Sequence, residues 1–194
     1  MAEHKLAGRT VSFVHMEAGT KEDYDLLHAM ESDFRDETLK RVLRHLELLD
    51  GSFGGYKVSR LGHSLQSATL AMNDGASEEV VVAALLHDIG DTLSPDNHAE
   101  LGASILKPFV REETYWVVKH HGIFQEYYYM HHFGRDRNNR EMYKDSKHYA
   151  ACVDFCQRYD QNAFDPDYDT EPLGTFMPML LRIFSRAPFE HFDK

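Results

Sequence analysis

Apolar residues recur at helical spacing in every stretch long enough to build a core, and no alternating apolar run of strand length stands between turn signals. From Lys21 to Leu49 the pattern is Leu26, Leu27, Met30, then Leu39, Val42, Leu43, Leu46, Leu48 and Leu49, with charges between them. The glycine-rich DGSFGG at 50–55 interrupts it. Helix resumes after Ser59, a residue suited to N-capping, and runs through Leu61, Leu65, Ala68 and Ala71 to Met72. NDGAS at 73–77 turns the chain, and Ser77 is placed to cap a helix that ends in AALLHDIGDT, residues 83–92. Beyond SPDN at 94–97 the pattern predicts a helix from about His98 to Lys107, stopped by Pro108, and another over 111–121 that closes at His120-His121-Gly122. An aromatic segment at 124–133 and a polar loop at 134–141 precede a strong helix over about 146–160. The tail is mostly loop, with a short helix near 176–185. Residues 1–20 show no period and read as an irregular arm, and 21–194 read as a single all-α domain, a helical bundle.

With 194 residues, 42% hydrophobic and 27% charged, the chain suits one globular domain with a sizeable core. A formal net charge of -11 speaks against nucleic acid or an anionic membrane as the main partner, since both select basic surfaces. A small anionic ligand stays compatible, because a local group of Arg or Lys overrides the global sign. No segment could span a membrane and the N-terminus lacks a signal-peptide core, so a cytoplasmic protein is expected. Cys152 and Cys156, four apart on one helical face, read as free thiols of a reducing compartment.

Potential metal ligands recur at helix ends or inner faces: His63, the adjacent His87-Asp88, His98, His120 or His121, and Asp160. Taken singly, each has a plain explanation. A helix C-terminus favours a histidine through its dipole, His98 can help to cap its helix, and Asp160 suits a surface turn. The His87-Asp88 pair at the end of an apolar run is harder to explain that way, because a core excludes polar groups that lack partners. Imidazole nitrogens and carboxylate oxygens suit iron, manganese or zinc, and Asp88 could ligate one ion with each oxygen.

The ordered series His63, His87-Asp88, Asp160 resembles the signature of the HD-domain superfamily, all-helical metalloproteins that are mostly phosphohydrolases. His98 and His121 between the pair and the last Asp look like its six-ligand, two-metal variant. The resemblance implies that His63, His87, Asp88 and Asp160 bind one metal, and that His98, His121 and a bridging Asp88 bind the second. His121 is favoured over His120 because HGIFQEYY (121–128) looks like the family's segment of a histidine followed six residues later by tyrosine. Within the superfamily, FGGYKVSRLGHSLQSATLA (53–71), HAELGASIL (98–106) and RYDQNAFDPDY (158–168) resemble the mixed-valence diiron oxygenases. That branch includes myo-inositol oxygenase and the enzymes that cleave carbon–phosphorus bonds of hydroxylated aminophosphonates.

Membership of that branch would imply a mixed-valence Fe2+/Fe3+ pair, O2 and a small organophosphonate as partners, with Asp88, His63 and Tyr56 in catalytic positions. Where the aminophosphonate enzymes have a tyrosine and then a glutamate, this chain has Phe53 and Tyr56. The missing carboxylate shifts the expectation from a primary amine to a quaternary ammonium, which has no N–H to donate and is held by aromatic faces. The expected reaction is then oxidative cleavage of (R)-1-hydroxy-2-(trimethylammonio)ethylphosphonate to glycine betaine and phosphate. Tyr56, Phe124, Tyr127, Tyr128, Tyr129, Phe133 and Tyr159 are candidate aromatics, each also accounted for by ordinary packing. Gln125 is a further candidate substrate contact. For the phosphonate, Arg158, two residues before Asp160, ranks first and Arg140 second. The alternatives are a redox-neutral two-metal phosphohydrolase acting on a small phosphate ester, and a metal-bound regulatory module without turnover.

Overall fold

A computed structural model describes residues 8–52 and 54–189. Among them the chain is all-helical, with eight α-helices and no strand. It divides into two compact units, Met1–Val42 and Leu43–Lys194.

In the first unit, α1 (Lys21–Asp36) opens at a capping box. The Thr20 hydroxyl accepts the Asp23 N–H at 3.2 Å, and the Asp23 carboxylate accepts the Thr20 N–H at 3.0 Å. The same carboxylate takes the Ser12 N–H at 2.8 Å and its hydroxyl at 2.9 Å, tying the irregular segment before the helix to its first turn. The backbone N–H groups of Thr20 and Ser12 lower the Asp23 pKa to about 2. The helix expected to run on to Leu49 is broken at Glu37, whose backbone leaves the helical region at φ -92, ψ 7. Its N–H bonds back to Phe34 three residues earlier, and α2 (Thr38–Glu47) begins anew.

The second unit contains α3 (Arg60–Asn73), α4 (Glu78–Leu86), α5 (His98–Leu106), α6 (Glu112–Tyr129), α7 (Tyr149–Arg158) and α8 (Leu173–Phe184). Ser59 caps α3 through its hydroxyl, whereas Ser77 precedes α4 without a side-chain cap bond. α4 is central: residues 81 to 86 are all essentially inaccessible, as befits a helix apolar on every side. It packs against α3, α6 and α8, while α6 packs against α5 and α7. Each fully buried Leu or Ile here contributes about 1.5–3 kcal/mol.

α6 does not stop at His121-Gly122 but continues to Tyr129. A single glycine costs a helix only about 1 kcal/mol, and burial of Val117, Val118, His121 and Phe124 on one stripe outweighs it. α7 is shorter than its pattern suggests, and Asp160 lies just beyond it in a 3₁₀ turn, Asp160–Asn162. Two glycines set a close approach. A Cβ on Gly90 would lie 2.5 Å from the His98 carbonyl oxygen, and one on Gly102 2.7 Å from that of His87. α5 therefore lies against the turn that carries His87 and Asp88. No helix among the described residues is long and apolar enough to cross a membrane.

Candidate metal centre

α4 ends at Leu86, and the turn after it delivers His87 and Asp88 into the interior, 0% and 3% exposed. α3 contributes His63, the start of α5 His98, the middle of α6 His121, and the turn after α7 Asp160. All are buried except His98, whose side chain is 24% exposed.

Each of the four histidines points Nδ1 at a backbone carbonyl: His63 at Ala163 (3.1 Å), His87 at Ala84 (2.8 Å), His98 at Pro95 (2.9 Å) and His121 at Val118 (2.7 Å). A carbonyl only accepts, so Nδ1 carries the proton in the neutral ring and the Nε2 lone pair faces inward. His63 and His87 bring their Nε2 atoms to 3.1 Å of one another. Asp160 Oδ1 lies 3.3 and 3.5 Å from them, and Asp88 Oδ2 3.4 and 3.3 Å. The other Asp88 oxygen, Oδ1, lies 3.2 Å from His121 Nε2 and 3.4 Å from His98 Nε2. One carboxylate thus turns each oxygen to a different pair of imidazoles.

Inward lone pairs facing one another and three carboxylate oxygens constitute a set of acceptors that only protons or cations reconcile. The second Asp160 oxygen is buried with no hydrogen-bond partner, as expected of a carboxylate aimed at an ion. His63, His87 and Asp160 fall within ligating range of one another, as do His87, Asp88 and His121, and Asp88, Asp91 and His98. The residues present therefore fit a metal. With protons in its place, burial disfavours imidazolium, but Asp88 and Asp160 overcome it and raise the pKa of His87 well above its ordinary value and that of His63 more modestly. Burial likewise works against the charge on Asp88 and Asp160, yet the His87 imidazolium and its neighbours hold both below the usual carboxylate range.

The cluster opens into a cavity of about 440 Å³ whose walls include Tyr56, Gln125, Tyr128, Tyr129 and Phe164. Phe164 stacks between the rings of His63 (centroids 4.5 Å apart) and Tyr56 (4.9 Å). Gln125 lines the cavity, and its Oε1 is buried with no hydrogen-bond partner. His120 lies outside, stacked on Trp116 at 4.1 Å, with Nδ1 on the Trp116 carbonyl.

Four residues expected to contact substrate are not in the cavity wall. Arg158 pairs with Asp74 and Asp154 on the outer face, because residues two apart near a helix end point to opposite sides and Asp160 takes the inner one. Tyr159 is buried elsewhere, its hydroxyl donating to Asp74 at 2.8 Å beside a separate cavity of about 250 Å³. Tyr127 lies under the guanidinium groups of Arg137 (4.0 Å) and Arg140 (3.6 Å), which occupies Arg140 as well. A step of one residue along α6, about 100° around it, brings Tyr128 to the cavity instead. Phe124 is core, against Trp116 and Tyr149, and Phe133 is exposed. Phe53 lies outside the described residues.

Sequence reasoning passed over Arg60, Asp91, Gln161 and Phe164, all of which line the cavity. Arg60 donates to Asp91 Oδ2 through Nε and to Asp88 Oδ2 through Nη2, each at 2.5 Å. The available signal was spacing: Arg60 stands three before His63 and Asp91 three after Asp88, which suits residues sharing a helical face.

An all-helical unit that gathers histidines and aspartates from five successive segments around an HD pair defines a class of protein. The chain belongs to the HD domain family, whose model matches residues 60–162, more than half of its length. It is similar to a 1-hydroxy-2-(trimethylamino)ethylphosphonate dioxygenase (glycine-betaine-forming) of Leisingera caerulea, 34% identical over 89 residues, 40% of this chain and 45% of that protein. It is also similar to a hydroxymethylphosphonate dioxygenase of Gimesia maris, 36% identical over 85 residues, 36% of this chain and 42% of the relative. The chain thus matches less than half the length of either.

Proposed function

We propose that this protein is an O2-dependent oxygenase that cleaves the carbon–phosphorus bond of a small hydroxylated organophosphonate. The substrate we favour is (R)-1-hydroxy-2-(trimethylammonio)ethylphosphonate, converted to glycine betaine and phosphate. The observation that carries this reading is the division of Asp88, one oxygen to each imidazole pair, beside an aromatic-walled cavity. The similarity to two phosphonate dioxygenases supports it.

In this reading His63, His87, Asp160 and Asp88 hold one metal, and His98, His121 and Asp88 the other. Two irons in a mixed-valence Fe2+/Fe3+ state would supply the redox chemistry that O2 requires. The chain's own contribution is geometric. The carbonyl-bonded Nδ1 atoms fix four imidazoles so that Nε2 needs no reorientation to ligate. Tyr56, Tyr128 and Tyr129 line the cavity and supply aromatic rings of the kind that hold a trimethylammonium group, while Phe164, stacked between His63 and Tyr56, braces that wall. Gln125 lines the cavity, and in this reading its side chain contacts the substrate near C1.

The test is anaerobic incubation of iron-loaded protein with the hydroxyphosphonate, followed by O2. Phosphate is expected only after O2 is admitted. Equal release without O2 would replace this reading with redox-neutral two-metal hydrolysis, and tight binding without turnover in either condition would indicate a binding module.

A further inference from the structure

We infer that Arg60, steered by Asp91, reads the anionic end of the ligand, an inference that rests on the phosphonate reading above. A phosphonate entering this cavity meets the Asp91 carboxylate beside the proposed metal ligands Asp88 and Asp160, and a guanidinium there adds a fixed, hydrogen-bonding cation to the charge of the metals. Among the described residues lining the cavity, Arg60 is the one Arg or Lys. Its side chain is 10% exposed and that of Asp91 5%, so their pairing is shielded from water and largely from salt.

The orientation of Arg60 is set from two edges. Asp91 Oδ2 takes Nε–H and Asp88 Oδ2 takes Nη2–H, which locks the plane of the guanidinium before any ligand arrives. Asp88 is the carboxylate shared between the two imidazole pairs, so an anion at Arg60 lies beside the proposed metals. The guanidinium carbon lies 5.7 Å from the ring centroid of Tyr56, which is 52% exposed at the rim. Arg60 therefore stands between the rim and the metal cluster. Asp91 Oδ1 lies 3.4 Å from His98 Nδ1, whose closer partner is the Pro95 carbonyl at 2.9 Å, so the guanidinium is the group that Asp91 steers.

The experiment uses full-length, iron(II)-loaded protein without O2, titrated calorimetrically with methylphosphonate and with choline, a cation that lacks the phosphonate. Arg60→Gln is expected to bind methylphosphonate about tenfold more weakly, with choline affinity and iron content unchanged. Asp91→Asn is expected to lose about threefold alone and to add nothing to Arg60→Gln, because it acts through the same guanidinium. Unaltered methylphosphonate affinity in Arg60→Gln would overturn the inference. So would loss of iron from that variant, which would make Arg60 a brace for Asp88 only. Additive losses in the double variant would overturn the steering by Asp91. If the parent protein binds choline but no methylphosphonate, the phosphonate reading itself fails, a result distinct from equal binding by parent and variant.

Discussion

Asp88 serves two neighbourhoods because its oxygens face different ways, Oδ2 to His63 and His87, Oδ1 to His98 and His121. Asp88→Asn keeps the shape but replaces an anionic oxygen with an amide that donates. We expect it to retain about one iron per chain or fewer, measured by elemental analysis after desalting. His120→Ala should keep the parent's iron content, since its ring stacks on Trp116 and stands apart from the cluster. Tyr56 lines the same cavity at its exposed rim, one ring face stacked on Phe164. Tyr56→Ala should weaken the trimethylated substrate by about 1 kcal/mol more than the primary-amine analogue, read as the ratio of KM values. Equal losses for the two substrates would remove the aromatic recognition of the cation. At this scale the sequence was legible where a residue type carries the chemistry. His63, His87, Asp88, His98, His121 and Asp160 were named because few side chains ligate metals, whereas Asp91, the arginines and the tyrosines have many uses and only their direction decided which reach the cavity.

The close approach of α5 to the turn after α4 is a property of elements, made by glycines that leave no room for a methyl group. Gly102→Ala would press its Cβ into the His87 carbonyl, and Gly90→Ala into that of His98. Each should cost about 1–3 kcal/mol in urea denaturation and loosen the retained metal, because His98 and Asp88 move apart. Gly122→Ala is the contrasting case. Its Cβ meets nothing within 4 Å, and in the interior of α6 it should stabilise the fold by about 0.5–1 kcal/mol. α3 was legible from its period and its Ser59 cap, and α4 and α5 from their apolar residues without a side-chain cap bond, since a single apolar stripe or run decides each. The break at Glu37 and the continuation of α6 through Gly122 were not, because a local propensity of about 1 kcal/mol yields to burial and to backbone geometry that no short window contains.

For the whole molecule, the metal centre should couple stability to pH. In the metal-free protein the raised pKa values of His63 and His87 mean that imidazolium–carboxylate attraction is fully present below the ordinary histidine value of 6.5. It is lost as pH rises through the raised folded values. Metal displaces those protons, so the loaded protein should show no such loss, and the gap in Tm between loaded and metal-free protein should widen from pH 6 to pH 9. Scanning calorimetry at several pH values checks this. A metal-free Tm that stays level over that range would show that those protons contribute nothing to stability.

By itself the sequence determined the helical class, the order of most helices, and a set of His and Asp residues whose chemistry points to metal. Those are consequences of local period and of residue type. Tertiary structure alone decided that Arg158 turns to Asp74 while Asp160 turns inward, that Tyr128 rather than Tyr127 faces the cavity, and that Arg60 and Asp91 join the cluster. Those outcomes depend on the rotation of each helix about its own axis. That rotation is set by burial of the whole apolar stripe against other helices, and no single residue records it.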